Sequence, residues 1–291
     1  MRRVMWEWTV RAHGFDGQVE AAAAGGFDVL TLPYRKYLAE RASGRTAEDL
    51  GAHAKSAGIT LDFLDGMSGW APIRYPAGAD EFLRQALDFG PDEAFELCEA
   101  TGMRHIVAIA GFAVDDLPLA QLVDSFGSFC DRAAAAGITV DLGSMPMMGL
   151  PPLGDEGDIV REAGRPNSGI LLDTWHFMRG GADFPLLERI PRGTIRNIQI
   201  VDGLAKPPGP DLWEDAMHNR EFPGRGALPL DQILSVLRDT QDIASVGPEA
   251  LSDRVDRLTP AEAGREAAEA IDAVLKSSGL IEAASAKDDA R

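Results

Sequence analysis

Four stretches of the chain share one pattern: a helical run, then a glycine, then an apolar run too short to be a second helix. They read "AAAAGGFDVL", "AKSAGITLDF", "EATGMRHIV" and "AAAAGITVDL". Glycine ends a helix readily because it adopts the left-handed conformation, so each stretch marks a helix turning back into a strand. A strand that always follows a helix pairs parallel with its neighbour, since parallel strands need a crossover and cannot be joined by a hairpin. The expected β-rich runs are 4–10, 27–32, 59–65, 103–109, 138–143, 168–173, 195–201 and 243–247. Helical spacing covers 16–24, 46–57, 81–101, 115–136, 153–164, 183–190, 229–241 and 260–278. Eight such units without a linker predict an α/β chain folded as a single (β/α)8 TIM barrel over residues 1–278. The competing open, doubly wound sheet wants a GxGxxG turn after its first strand, and the chain has none. From residue 279, "GLIEAASAKDDAR" loses periodicity and is expected to be a disordered tail.

Composition narrows what such a barrel can do. A formal net charge of −18 excludes nucleic acid and anionic membrane surfaces, which need basic patches. No apolar run approaches the roughly 20 residues that span a bilayer, and "MRRVMWEWTV" does not read as a signal peptide. Cys98 and Cys130 lack CxxC spacing and are expected as buried, reduced thiols of a cytoplasmic protein. A small-molecule substrate is the partner this leaves; a homo-oligomer or a partner subunit stays open.

Barrels of this kind carry their reactive groups at the C-terminal ends of strands and in the loops that follow. Asp173 and His176 stand there in "LLDTWHFMRGG", Gln199 and Asp202 in "IQIVDG", and Glu249 in "SVGPEAL". A long segment, 203–228, adds His218, Arg220 and Arg225. Carboxylates, an imidazole and an amide converging at one mouth suit a divalent cation. Each residue also has a plainer reading. Asp173 is placed to cap a helix, Gln199 to be hydrogen-bonded core, and Glu249, His218 and Arg225 to be solvated. Tyr34, Trp70 and Trp175 fall just past strand ends, where an aromatic wall would be built. Trp6 and Trp8 alternate on the first strand and would share a face as core or wall, while Met145, Met147 and Met148 would form a soft rim.

"GRPNSGILLDTWHFMRGG", then "IRNIQIVDG", then "R-E-F-P-G-R-G" resembles the sugar phosphate isomerase/epimerase family, the xylose isomerase-like barrels. The resemblance implies that Asp173, Gln199 and Glu249 ligate a divalent ion (Mn, Mg, Co or Zn). It further implies that Glu249 is also an acid/base group, that His176 stands beside the substrate and that Arg220 holds substrate oxygens; His176 is accordingly expected to be catalytic with Glu249, and Trp175, Tyr34 and Trp70, from their positions past strand ends, are expected to meet the substrate. The family's remaining ligand is a glutamate in a pattern like L-E-x-x-P, which here reads Leu142-Gly143-Ser144-Met145-Pro146. Gly143 therefore removes one anionic ligand and one acid/base group. Asp141 points the same way but sits ~6.6 Å deeper along the strand, and is expected to pair with a neighbour inside the barrel. The expected activity is an isomerase or epimerase on a small keto-sugar or polyol with a weakened or absent metal site. A metal-independent lyase, dehydratase or cyclase on a bulkier substrate, and a non-catalytic partner subunit, are the alternatives.

Overall fold

The computed structural model describes residues 1–74, 84, 86–150 and 153–281. The first half of the chain runs β1 (Arg2–Met5), α1 (Phe15–Ala24), β2 (Val29–Leu30), α2 (Tyr34–Ala42), α3 (Ala47–Ser56), β3 (Thr60–Leu61), β4 (Phe63–Met67), α4 (Pro91–Thr101), β5 (His105–Ile109) and α5 (Leu119–Ala135). It continues with β6 (Thr139–Gly143), α6 (Asp155–Ala163), β7 (Ser168–Asp173), α7 (Thr174–Arg179), α8 (Phe184–Arg189) and β8 (Ile195–Gln199). The last part holds β9 (Asp202–Gly203), α9 (Leu212–His218), β10 (Arg220–Glu221), α10 (Leu230–Thr240), β11 (Ser245–Gly247) and α11 (Pro260–Ser277).

The main sheet is parallel in the order β3-β2-β1-β11-β8-β7-β6-β5-β4. Its two ends are one stave. Only Asp62 separates β3 from β4, β3 pairs with β2 while β4 pairs with β5, and Leu32 N–H donates to Phe63 O at 2.9 Å. Eight staves therefore close into the expected (β/α)8 barrel. The four helix-ending glycines Gly26, Gly58, Gly102 and Gly137 all have φ between +64° and +82°, as their position between helix and strand requires.

Side chains alternate along each stave, and one set fills the barrel interior: Val4, Trp6, Val29, Phe63, Val107 and Leu171 form a cluster of their own. On β6 and β8, in register with Val107 and Leu171, Asp141 and Asn197 hydrogen-bond to each other, and Ser245 Oγ donates to Asn197 Oδ1 at 2.6 Å. Asp141 thus pairs inside the barrel as expected. Two residues beyond the apolar layer come Asp65 and Asp173, and at the matching ends of β6 and β8 come Gly143 and Gln199. This is the mouth.

Several boundaries differ from the sequence reading. The first strand stops at Met5, because Glu7 N–H bonds Thr31 Oγ1 at 2.9 Å and the chain turns into a 3-10 segment over Glu7–Val10. Trp6 is consequently barrel core and Trp8 lies on the cavity wall. Helices α2, α7 and α9 and the β9–β10 ribbon were not expected. Positions 81–83 and 85 of the expected 81–101 helix lie outside the described residues, and the helix that is seen begins at Pro91. Of the expected disordered tail, 282–291 lies outside them too, whereas Leu280 and Ile281 pack on the core. Cys98 and Cys130 are buried free thiols that burial pushes up to about 12. Among the described residues no helix is long and apolar enough to cross a membrane.

Candidate active site

Strand ends build the site. β7 ends on Asp173, whose Oδ1 accepts the His176 N–H at 2.8 Å, so this carboxylate caps α7 and remains part of the mouth. The cap also fixes His176 one turn along. Thr174 Oγ1, bonded at 2.7 Å to Val201, ties the start of α7 to the next stave. β10 delivers Arg220 from the long segment 203–228. That segment is organised by Asp202, which accepts the N–H groups of Gly203 (2.8 Å), Gly224 (3.0 Å) and Leu228 (3.0 Å). A Cβ on Gly226 would overlap Asp202 and the Gly203 backbone, which explains the P-G-x-G spacing. Asp202 is therefore a loop-holding residue.

Arg220 is 3% exposed and lies at the centre of the cluster. Its Nη1 donates to Asp173 Oδ2 at 3.0 Å and to Glu249 Oε2 at 3.3 Å, and its Nη2 lies 3.2 Å from His176 Nε2. The guanidinium sits 4.6 Å from the centre of the Trp175 ring. Because a guanidinium only donates, His176 Nε2 must be the acceptor, which assigns the imidazole proton to Nδ1.

Burial and neighbouring charges set the protonation states. Burial pushes Asp173 up, but His176, Arg220 and the capping N–H outweigh it, and its pKa lies below the ordinary range. Burial, reinforced by Asp65 and Asp173 against the pull of Arg220, raises Glu249 well above the usual value. The two carboxyls are thus pushed apart, Asp173 toward its charged form and Glu249 toward its neutral one. Burial, with Arg220 beside it, pushes His176 down to about 3 despite Asp173, so the imidazole is neutral.

The cavity at the mouth has a volume of about 140 Å³. Arg35, Asp65, Ser144, Asp173, His176, Gln199, Arg220 and Glu249 supply its polar surface, and Trp8, Met145, Met147, Trp213 and Leu251 much of its apolar rim. Gly143 lies in the wall; a Cβ there would meet Val107 Cγ1 at 3.2 Å. Three expected substrate contacts fall elsewhere. Trp70 is buried away from the mouth, its Nε1 donating to Ile109 O at 2.8 Å and its ring edge-on to Phe112 and Phe126. Tyr34 begins α2 and stacks on Phe89 at 4.4 Å. Trp175 is fully buried behind Arg220. His218 and Arg225 are surface residues paired with Asp253 and Glu266.

Asp65 was missed. It stands at the end of β4, where the register shifts between Asp65 and Met67 and Gly66 has φ +87°. Its parity with interior Phe63, and the Asp-Gly pair at a strand end, were the available signals. Burial and Glu7 raise its pKa to about 7 against the pull of Arg35. Trp213 was also missed, since α9 is hidden in a segment that reads as loop.

Asp173, His176 and Glu249 each offer a ligand atom within 4.8 Å of the others, a set with one imidazole nitrogen and two carboxylate oxygens that fits a divalent ion. The same atoms hold Arg220, so a bound ion and the guanidinium compete for them.

Residues 19–276 match the family model described as xylose isomerase-like TIM barrel. An inosose isomerase of Halalkalibacterium halodurans is 29% identical over 174 residues, 58% of this chain and 60% of that protein. A 3-dehydroshikimate dehydratase of Pseudomonas aeruginosa is 26% identical over 223 residues, 75% of this chain and 33% of that one. Among solved structures, the IolI protein with a bound zinc atom superposes with a TM-score of 0.80 at 21% identity, covering 94% of this chain and 98% of that one.

Proposed function

The chain belongs to the xylose isomerase-like TIM-barrel family, and on that footing we infer that it is an isomerase- or epimerase-type enzyme acting by proton transfer on a small keto-sugar or cyclic polyol ketone. The observation that carries this reading is the buried Asp173–Arg220–Glu249 cluster at the barrel mouth. A neutral Glu249 is a general acid placed to protonate a carbonyl oxygen, and Arg220 holds it in register with Asp173. His176, neutral and accepting from Arg220, orients the guanidinium. The aromatic and methionine rim offers apolar surface to the C–H faces of a polyol ring, while the polar floor meets its hydroxyls.

With Glu249 ionised and the Arg220 contacts given up, Asp173, His176 and Glu249 would hold a divalent ion, with Gln199 in the same wall. One imidazole and two carboxylates favour zinc, manganese or cobalt over magnesium. Such an ion would polarise the substrate carbonyl. The inosose isomerases point to a cyclic polyhydroxy ketone as the substrate class. The dehydratase relatives support a second reading, in which the same proton abstraction ends in loss of water. Incubating the protein with an inosose and a panel of open-chain ketoses, with products followed by NMR, tests both. An isomer of unchanged mass is expected; a product lighter by one water would move the chain to the dehydratases.

A further inference from the structure

An isomerisation beside a carbonyl needs a base for the carbon-bound proton as well as an acid for the oxygen. Within the cluster described above, Glu249 and Asp173 are both committed to Arg220, and Asp173 also to the α7 N–H. His176 Nε2 is committed to Arg220. One carboxylate at the mouth has no such commitment. Asp65 is 7% exposed, lines the cavity, and its Oδ2 is buried without a hydrogen-bond partner among the described residues. A carboxylate oxygen left this way is costly unless something else meets it.

The backbone at Asp65 is specialised as well. The register shift after it, with Gly66 at φ +87°, forms a bulge, the device that re-aims a side chain at the rim of a barrel. Neighbouring Glu7 is wholly buried and held by Arg35 and Lys36, so a second carboxylate with its own cations backs this side of the cavity. The β6 stave, by contrast, presents only Gly143.

We propose that Asp65 is the base of the reaction, taking the carbon-bound proton of an α-hydroxyketone bound in the cavity that Arg220 also lines. The C–H electron pair becomes the C=C bond of an enediolate. The adjacent hydroxyl then passes its proton to the former carbonyl oxygen, and Asp65 returns the first proton to the former carbonyl carbon. Asp65 ends as it began, no oxidant or reductant is consumed, and the carbonyl has moved by one carbon. The assignment rests on the isomerase reading.

The test compares isomer formation from an inosose by the wild-type protein, Asp65→Asn and Asp65→Ala, the last with and without added formate. Asp65→Asn keeps the side chain's shape, and its kcat is expected to fall at least 100-fold with KM within about threefold of wild type. Formate, entering the space left in Asp65→Ala, is expected to restore turnover. Wild-type kcat in Asp65→Asn overturns the proposal. So does a joint loss of kcat and KM with no formate rescue, which marks a structural residue; if Asp65→Asn fails to fold, the formate arm alone decides. Should the wild-type protein itself form no isomer, the isomerase reading falls and the assignment of Asp65 with it.

Discussion

Arg220 Nη1 lies 3.0 Å from Asp173 Oδ2, and both side chains are almost fully buried. The pair joins two structural statements. Asp173 caps α7 at the end of β7, and Arg220 begins the ribbon strand β10 that the Asp202-centred loop presses against the mouth. Removing one member of a buried ion pair leaves the other charge without compensation. Arg220→Met is expected to destabilise the fold by about 3–5 kcal/mol, read from the midpoint of denaturant unfolding. A loss below about 1 kcal/mol, the scale of an exposed pair, would mean that Asp173 is not held by this guanidinium.

The competition between Arg220 and a cation gives a second expectation. Gly143→Glu would add a carboxylate beside the existing donors, and Val107 Cγ1, 3.2 Å from the new Cβ, needs to give by only a few tenths of an ångström. Titration calorimetry with Zn²⁺ or Mn²⁺ is expected to show at least tenfold tighter binding in the variant than in the wild type. Equal affinities would show that the carboxylate does not reach the ion.

Glu156 sets a pH dependence away from the reaction. It is wholly buried, accepts the Leu153 N–H at 3.0 Å, and burial pushes it up to about 8. The folded state therefore holds a proton that the unfolded chain releases near 4.5. The stability from this group is full below about 4.5 and is lost as pH rises to about 8. Glu156→Gln, which cannot ionise, is expected to flatten that decline and to be more stable than the wild type at pH 9, by on the order of 2 kcal/mol. Parallel stability curves for the two proteins would contradict the shift.

Trp70 and Trp8 take opposite roles: Trp70 packs in the core, and Trp8 lines the mouth, one of the two roles its strand position left open. Trp70→Ala is expected to cost about 3–5 kcal/mol and leave KM unchanged, since the indole packs on Phe112 and Phe126. Trp8→Ala is expected to raise KM at a smaller stability cost, because Trp8 lines the mouth. Binding unaffected by Trp8→Ala would remove this residue from the substrate wall.

The barrel was legible because its punctuation is local. A helix that ends at Gly102 or Gly137 and is followed at once by an apolar run needs no tertiary information to be read. The cavity-lining residues at strand ends, Asp173, Gln199 and Glu249, were legible for the same reason. What escaped depends on neighbours distant in the chain. The alternating "VMWEWTV" keeps a strand pattern past Met5, yet the strand ends because Glu7 N–H finds Thr31. The segment "DLWEDAM" forms α9 between loop residues only because Asp211 caps it and Ala216 is buried. Asp65 looked like one more acidic residue until the closed barrel placed it in the same cavity wall as Asp173 and Glu249. His176 was read as catalytic, and the Arg220 contact that makes it a hydrogen-bond acceptor comes from a residue 44 positions away.

Proton transfer beside a carbonyl is tested most directly by solvent deuterium. The wild-type protein and Glu249→Gln are incubated in D2O with an inosose, and the carbon next to the carbonyl is followed by NMR. The expected result is deuterium at that carbon in the presence of the wild-type protein, with uptake slowed at least 100-fold in Glu249→Gln. Isomer formation by the wild-type protein with no deuterium in either substrate or product would contradict it.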